Sequence, residues 1–113
     1  MKQWLRKFKP LLVGIGAFIG AHCLDIISTE LVMAFVPGAI EQNPLMRDPE
    51  TWKFAIAPAL FVKLFGTLVI ETPLAVVLYA ATRDSKWAAI PFFVSTFYIM
   101  HVVAHNLMML VPK

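Results

Sequence analysis

The sequence predicts an all-α fold, a bundle of three transmembrane helices. Hydrophobic residues make up 59% of the 113 residues, and the mean hydropathy is +0.73. Only 15% of the residues are charged, where a soluble domain has about a quarter. The apolar residues fall into three runs, each long enough for the roughly 20 residues that cross about 30 Å of hydrocarbon. No stretch is typical of a strand. We therefore expect residues 1–113 to form a single integral membrane domain that is all helical.

The first predicted span covers about residues 10–35 and follows a basic N-terminal segment. A basic segment before an apolar run is also typical of a signal peptide. The run continues to Val36, however, which is longer than the apolar core of such a peptide. Its candidate cleavage region, Ile19-Gly20-Ala21, also lacks the small-x-small pattern. We therefore expect an uncleaved first helix.

The second predicted span covers about residues 50–81, after a loop rich in turn-forming residues. Asp48 is a candidate N-cap, and Pro49 has the φ angle that suits a first helical turn. The span is overlong and contains Pro58 and Pro73. It should therefore tilt, kink or leave its first turns in the interface.

The third predicted span covers about residues 87–111, where Pro91 either opens the helix or kinks its first turns. Orientation follows from Lys and Arg, which favour the cytoplasmic side of short loops. Six of them, Lys2, Arg6, Lys7, Lys9, Arg83 and Lys86, lie on one side, against Arg47, Lys53 and Lys113 on the other. The N-terminus is therefore predicted in the cytoplasm and the C-terminus outside, in a multi-pass protein of a prokaryotic cytoplasmic membrane.

The distribution of charge and the number of cysteines bear on nucleic-acid binding, disulfide formation and cysteine-based metal sites. The net charge is +3, but the basic residues cluster at the ends of apolar runs and are not interleaved with aromatics, so nucleic acid is not an expected partner. Cys23 is the single cysteine, which excludes an intramolecular disulfide and a cysteine-rich zinc site.

Each predicted span carries one stripe of polar or ionisable side chains. The stripes are His22, Asp25 and Thr29; Lys63, Thr67 and Glu71; and His101 and His105. Members of a stripe share a helix face because their spacings are close to whole turns. A charged group in the bilayer costs at least about 2.5–3.5 kcal/mol, so the stripes should face one another or a wet cavity.

Depth predicts which of these side chains meet. In antiparallel neighbours, Asp25 and Lys63 lie at the same level of the bilayer, in its outer half, and should interact directly. The first loop should cover the cluster from outside. The predicted polar cluster consists of Asp25, Thr29, Glu41, Asn43, Lys63 and Glu71. Such a cluster is either structural, joining helices through polar contacts, or binds a proton or a metal.

Two histidines one helical turn apart also fit a metal site. His101 and His105 have the spacing at which two imidazoles on one helix reach one metal ion. With Asp25 they form a candidate ligand set, with His22 or Glu41 nearby. Imidazole nitrogen favours Zn²⁺ over Mg²⁺ or Ca²⁺. An ammonium beside a dication is repelled, so this prediction competes with the Asp25–Lys63 pair, which we rank first.

Gly16 and Gly20 form a G-x-x-x-G pair on the face opposite the first stripe. Small residues four apart let two helix backbones approach closely. The pair predicts a helix contact with a second copy or with another membrane protein.

The order of motifs resembles a family of small prokaryotic membrane proteins known only as a domain of unknown function. The likeness rests on D-x-x-x-T at Asp25 and Thr29, then E-x-N-P-L from Glu41 to Leu45, which includes Asn43, and then Lys63. It covers about residues 22–80. It implies a helical membrane module in which these five residues belong together. It implies no reaction.

Three hypotheses of different classes follow, and we favour the first. The first is a non-enzymatic structural or accessory module. The second is an oligomeric subunit that transports protons or a cation. The third is a metal-dependent intramembrane hydrolase with zinc on Asp25, His101 and His105 and with Glu41 as general base. The sequence contains no nucleophile elbow, phosphate loop or nucleotide motif, and it names no substrate.

Overall fold

The described part of the chain, residues 2–41, 45–50 and 53–111 of a computed structural model, is helical. It forms α1 (Lys2–Phe35), α2 (Ile56–Gly66), α3 (Thr72–Thr82) and α4 (Ser85–Met109). A π-helical turn, Thr67–Glu71, joins α2 and α3 into one continuous helix. The described residues contain no β-strand beyond one isolated bridge. The all-helical class is confirmed, with three helices long and apolar enough to cross a membrane.

α1 begins at Lys2, several residues before the predicted start of the first span. The residues before Pro10 are mostly good helix formers, and the helix continues through that proline. Its first turns also contact the rest of the chain, because the Ser85 hydroxyl donates to the Lys7 carbonyl and the Phe8 ring lies 5.7 Å from that of Tyr79. The basic N-terminal segment is therefore part of the helical bundle.

α2 begins at Ile56, later than the predicted start near residue 50. The Asp48 carboxylate does not cap a helix; it accepts a hydrogen bond of 2.8 Å from the backbone N–H of Glu50 and closes a turn. The chain then doubles back, with the N–H of Asp48 donating to the carbonyl of Lys53 at 2.8 Å. This local turn competes with helix initiation, because an aspartate can satisfy backbone donors outside a helix.

The π-helical turn lies directly before Pro73. A proline has no N–H to donate, and its ring clashes with the carbonyl of residue i−4. Here the helix widens, and the N–H of Thr72 bonds to the carbonyl of Thr67, five residues back. Single π turns of this kind often occur at functional sites. This one carries Glu71 of the second polar stripe.

α3 and α4 are joined by a tight turn. Arg83 ends α3 in the left-handed conformation at φ 57°. Asp84 is the N-cap of α4, because its side chain accepts a hydrogen bond of 2.9 Å from the N–H of Lys86. α4 therefore starts at Ser85, two residues before the predicted start of the third span, and Pro91 lies inside the helix.

The apolar core joins α1, α3 and α4. Its buried members are Phe18, Ala21, Ala75, Ala88, Phe92, Ile99 and Val103. α1 and α4 approach closely at Gly14, where an added Cβ would lie 3.2 Å from Phe93 Cε2 and 3.4 Å from Ala89 Cβ. Within the described ranges, α2 contributes one buried apolar side chain, Ala59, which lies outside this cluster. The first half of the second helix therefore adds little to the apolar packing.

Candidate functional site

A cavity of about 550 Å³ lies between α1, α2 and α4. α1 lines it with His22, Asp25 and Thr29, and the second helix lines it with Lys63, Thr67 and Glu71. These are the first two polar stripes, so they face a common space. Loop residues Ile40, Glu41, Met46 and Phe54 line the end of the cavity that leads to the first loop.

Lys63 links α2 to α1. Its ammonium lies 2.5 Å from Asp25 Oδ2 and 2.9 Å from His22 Nδ1. The two charged side chains are largely shielded, with 10% of the Lys63 side chain and 17% of the Asp25 side chain exposed. An ammonium only donates hydrogen bonds, so Nδ1 of His22 accepts and the imidazole proton lies on Nε2. We call these three residues the Lys63 cluster.

Asn106 links α4 to α1 beside this cluster. Its side-chain amide donates to the hydroxyls of Ser28 and Thr29, each at 3.1 Å. Those hydroxyls donate in turn to the carbonyl of Asp25, at 3.1 and 2.7 Å. Asn106 and Ser28 were not predicted from the sequence. The signal was present, since a carboxamide in an apolar run needs hydrogen-bond partners.

Glu71 lies further along the cavity, at the end of the π-helical turn. The Ser95 hydroxyl on α4 donates to Glu71 Oε1 at 2.9 Å. The other carboxylate oxygen, Oε2, is buried and has no hydrogen-bond partner among the described residues. Thr67, one turn earlier, donates its hydroxyl to the Lys63 carbonyl at 2.8 Å and so bonds within its own helix.

Two members of the predicted polar cluster lie in the first loop, and the structure describes one of them, Glu41. Glu41 lines the cavity at the loop end, where Lys53 donates to the Ala39 carbonyl at 2.7 Å and holds the loop segments together. Asn43, the other predicted member from this loop, lies outside the described residues.

The structure does not bring Asp25, His101 and His105 together as metal ligands. Both α4 histidines are exposed; His105 touches the cavity and His101 does not line it. No group of three or more His, Cys, Asp or Glu side chains that could hold a metal occurs in the ranges the structure describes. There are two physical reasons: Lys63 occupies the Asp25 carboxylate, and the rotation of α4 leaves both histidines exposed. The tentative zinc site is therefore unsupported, and His22, its weaker candidate ligand, bonds to Lys63.

The predicted contact pair Gly16 and Gly20 is exposed on α1. No atom would lie within 4 Å of a Cβ added at either position. Among the described residues, nothing packs on their face, whereas Gly14, which was not singled out from the sequence, makes the close contact with α4.

Fold and site together define a small all-helical protein with three helices long and apolar enough to cross a membrane and a polar cavity between them. Residues 16–112 match the family described as "Domain of unknown function (DUF5658)", and the chain belongs to that family. The match includes α4, beyond the region of the resemblance drawn from the sequence. Neither the curated proteins nor the solved structures contain a match to the chain.

Proposed function

We propose that this is an integral membrane protein that acts as a non-enzymatic structural or accessory module, in which the Lys63 cluster holds the second span against the first. One observation carries the proposal. Among the described residues, α2 has one buried apolar side chain, Ala59, and none in the core cluster that joins α1, α3 and α4, yet its Lys63 bonds to both Asp25 and His22 on α1. The polar contacts of Lys63 therefore hold this helix junction where the core cluster does not reach.

The bilayer gives such a junction its strength. Separating Asp25 from Lys63 would leave two charges in hydrocarbon, each at a cost of at least about 2.5–3.5 kcal/mol. Folding the same pair into the bundle also costs desolvation, so its net stabilisation is modest. The pair instead fixes the register of α2 against α1, because sliding one helix along the other would separate the two charges.

The accessory role needs a surface for a partner. We propose that the exposed Gly16 and Gly20 face of α1 contacts either a second copy of this chain or another membrane protein. Support comes from the open space above both glycines, since close helix association in lipid favours small residues.

For orientation, we propose a cytoplasmic N-terminus and an outer C-terminus in a prokaryotic cytoplasmic membrane. The hydrogen bond from Ser85 to the Lys7 carbonyl supports this. It brings the basic N-terminal helix end beside the basic turn at Arg83 and Lys86, which fits the positive-inside rule.

Distances between spin labels test the proposal. In a Cys23→Ser background, labels at Ile27 and Leu60 report on α1 and α2, and labels at Ile27 and Phe97 report on α1 and α4; all three positions are exposed. In nanodiscs, Lys63→Met should broaden the first distance distribution and leave the second unchanged.

Glu30→Gln is the matched control, because Glu30 is a carboxylate of α1 that does not line the cavity. It should leave both distributions narrow. If Lys63→Met leaves the Ile27–Leu60 distribution as narrow as in the parent chain, the cluster does not hold α2 in place.

A further inference from the structure

We propose that the cavity between α1, α2 and α4 binds a small amphipathic organic cation whose ammonium group pairs with Glu71. This goes beyond the structural role of the Lys63 cluster, since Glu71 takes no part in that cluster.

The size and lining suit an organic ligand. A volume of about 550 Å³ lies within the roughly 300–1,000 Å³ that is usual for small-molecule sites, which combine apolar walls with a few polar groups. Val32 of α1, Val62 of α2 and Ile99 and Val102 of α4 supply apolar walls here. A ligand with an apolar body therefore fits between the helices.

The charge of the lining selects a cation. Three carboxylates, those of Asp25, Glu41 and Glu71, line the cavity against one ammonium, that of Lys63. Lys63 is bonded to Asp25 and His22. With Asp25 paired, the carboxylate of Glu71 remains as a charge that a cationic ligand would offset.

Glu71 provides the position for the charged group. Its Oε1 accepts from Ser95, while its buried Oε2 lacks a donor in the described part of the chain. A buried acceptor without a donor is costly, and an ammonium supplies both the donor and the opposite charge. Glu71 lines the cavity, and the terminal torsion of a glutamate is soft, so the carboxylate can reorient toward a cation bound there.

An organic cation fits this cavity better than a metal ion. Metal ions in proteins require several converging ligands, and the described residues include no group of three that could supply them. An ammonium needs one carboxylate and an apolar wall for its body, and the cavity has both.

Calorimetric titration of the purified full chain in zwitterionic nanodiscs tests the proposal, with empty nanodiscs as the blank. The probes are benzylammonium, its neutral analogue benzyl alcohol and the anion benzoate. Benzylammonium should give saturable binding at one site per chain, and the other two should give none above the blank. Glu71→Gln should weaken binding by about tenfold or more, because a charge-assisted hydrogen bond is lost, and Glu30→Gln should not change it.

Val62→Trp is a second variant that fills the cavity and leaves Glu71 intact. It should also abolish binding, which keeps the test decisive if Glu71→Gln does not fold. The proposal is overturned if benzylammonium does not saturate, if benzyl alcohol binds equally well, or if binding survives Val62→Trp or a folded Glu71→Gln. Neither variant replaces Asp25 or Lys63, and the spin-label test of the cluster uses neither variant, so failure here leaves that result standing.

Discussion

Lys63 on α2 and Asp25 on α1 are 38 positions apart in the chain, and their charged atoms lie 2.5 Å apart. The pair spans a junction where the described part of α2 has one buried apolar residue, Ala59, outside the main core cluster. Beside this pair, Asn106 of α4 donates to Ser28 and Thr29 of α1. α1 is thus joined to both neighbours by polar contacts at nearly the same level.

Asn106→Leu should destabilise the contact of α1 with α4. The change keeps the number and branching of the side-chain heavy atoms and removes both hydrogen bonds to Ser28 and Thr29. Because interhelical hydrogen bonds in membranes average about 0.6 kcal/mol each, the expected loss is about 1 kcal/mol in the free energy of unfolding in mixed detergent micelles. Met108→Ala, at an exposed position of the same helix, should cost less. Equal effects of the two changes would show that the Asn106 bonds add nothing.

Gly14→Leu should destabilise the bundle more than Gly16→Leu. A Cβ at Gly14 would lie 3.2 Å from Phe93 Cε2, whereas a Cβ at Gly16 meets no atom within 4 Å. Overpacking typically costs about 1–3 kcal/mol, so the unfolding free energy should fall by that amount for the first variant and remain near the parent value for the second. Similar losses for both variants would contradict the close approach of α1 and α4 at Gly14.

The double change Gly16→Leu and Gly20→Leu should remove a cross-linked species without unfolding the chain. Bulky side chains would fill the open face that we propose for helix association. Chemical cross-linking in lipid, followed by electrophoresis, measures the effect. Ala34→Leu, also on an exposed part of α1, is the control and should not alter the pattern. An unchanged oligomer distribution in the glycine variant rules out this face.

The loop before α2 and the turn before α4 should lie on opposite sides of the membrane. In a Cys23→Ser background, Glu50→Cys and Lys86→Cys place thiols at exposed positions. An impermeant reagent added outside intact cells should label the first variant, and should label the second only after the cells are opened. Labelling of both from outside would contradict the cytoplasmic N-terminus.

Composition and periodicity were enough to predict three long helices, because the apolar runs and the requirements of lipid leave few alternatives. Helix ends were harder to predict. Asp48 was predicted to cap the second span. Its side chain instead accepts a hydrogen bond from the Glu50 N–H and closes a turn. α1 begins at Lys2 and continues through Pro10. The apolar pattern located only the span that starts at about residue 10, because the basic residues before it are not apolar.

For the site, depth matching in antiparallel helices led to Asp25 and Lys63, which the structure brings together. It failed for His101 and His105, because equal depth does not fix helix rotation. α4 turns Val103 and Asn106 toward its neighbours and leaves both histidines exposed. The rotation depends on how Ala88, Ala89 and Phe92 pack, and a single-helix pattern does not contain that information.

A double-mutant cycle on Asp25 and Lys63 tests the central claim most directly. Asp25→Asn and Lys63→Met should each lower the free energy of unfolding in nanodiscs or mixed micelles by at least about 1.5 kcal/mol, because each leaves an unpaired charge. The double variant should recover part of that loss, with a coupling of about 1 kcal/mol or more. Simple addition of the two single effects, with no coupling, would contradict the account that this pair holds α2 against α1.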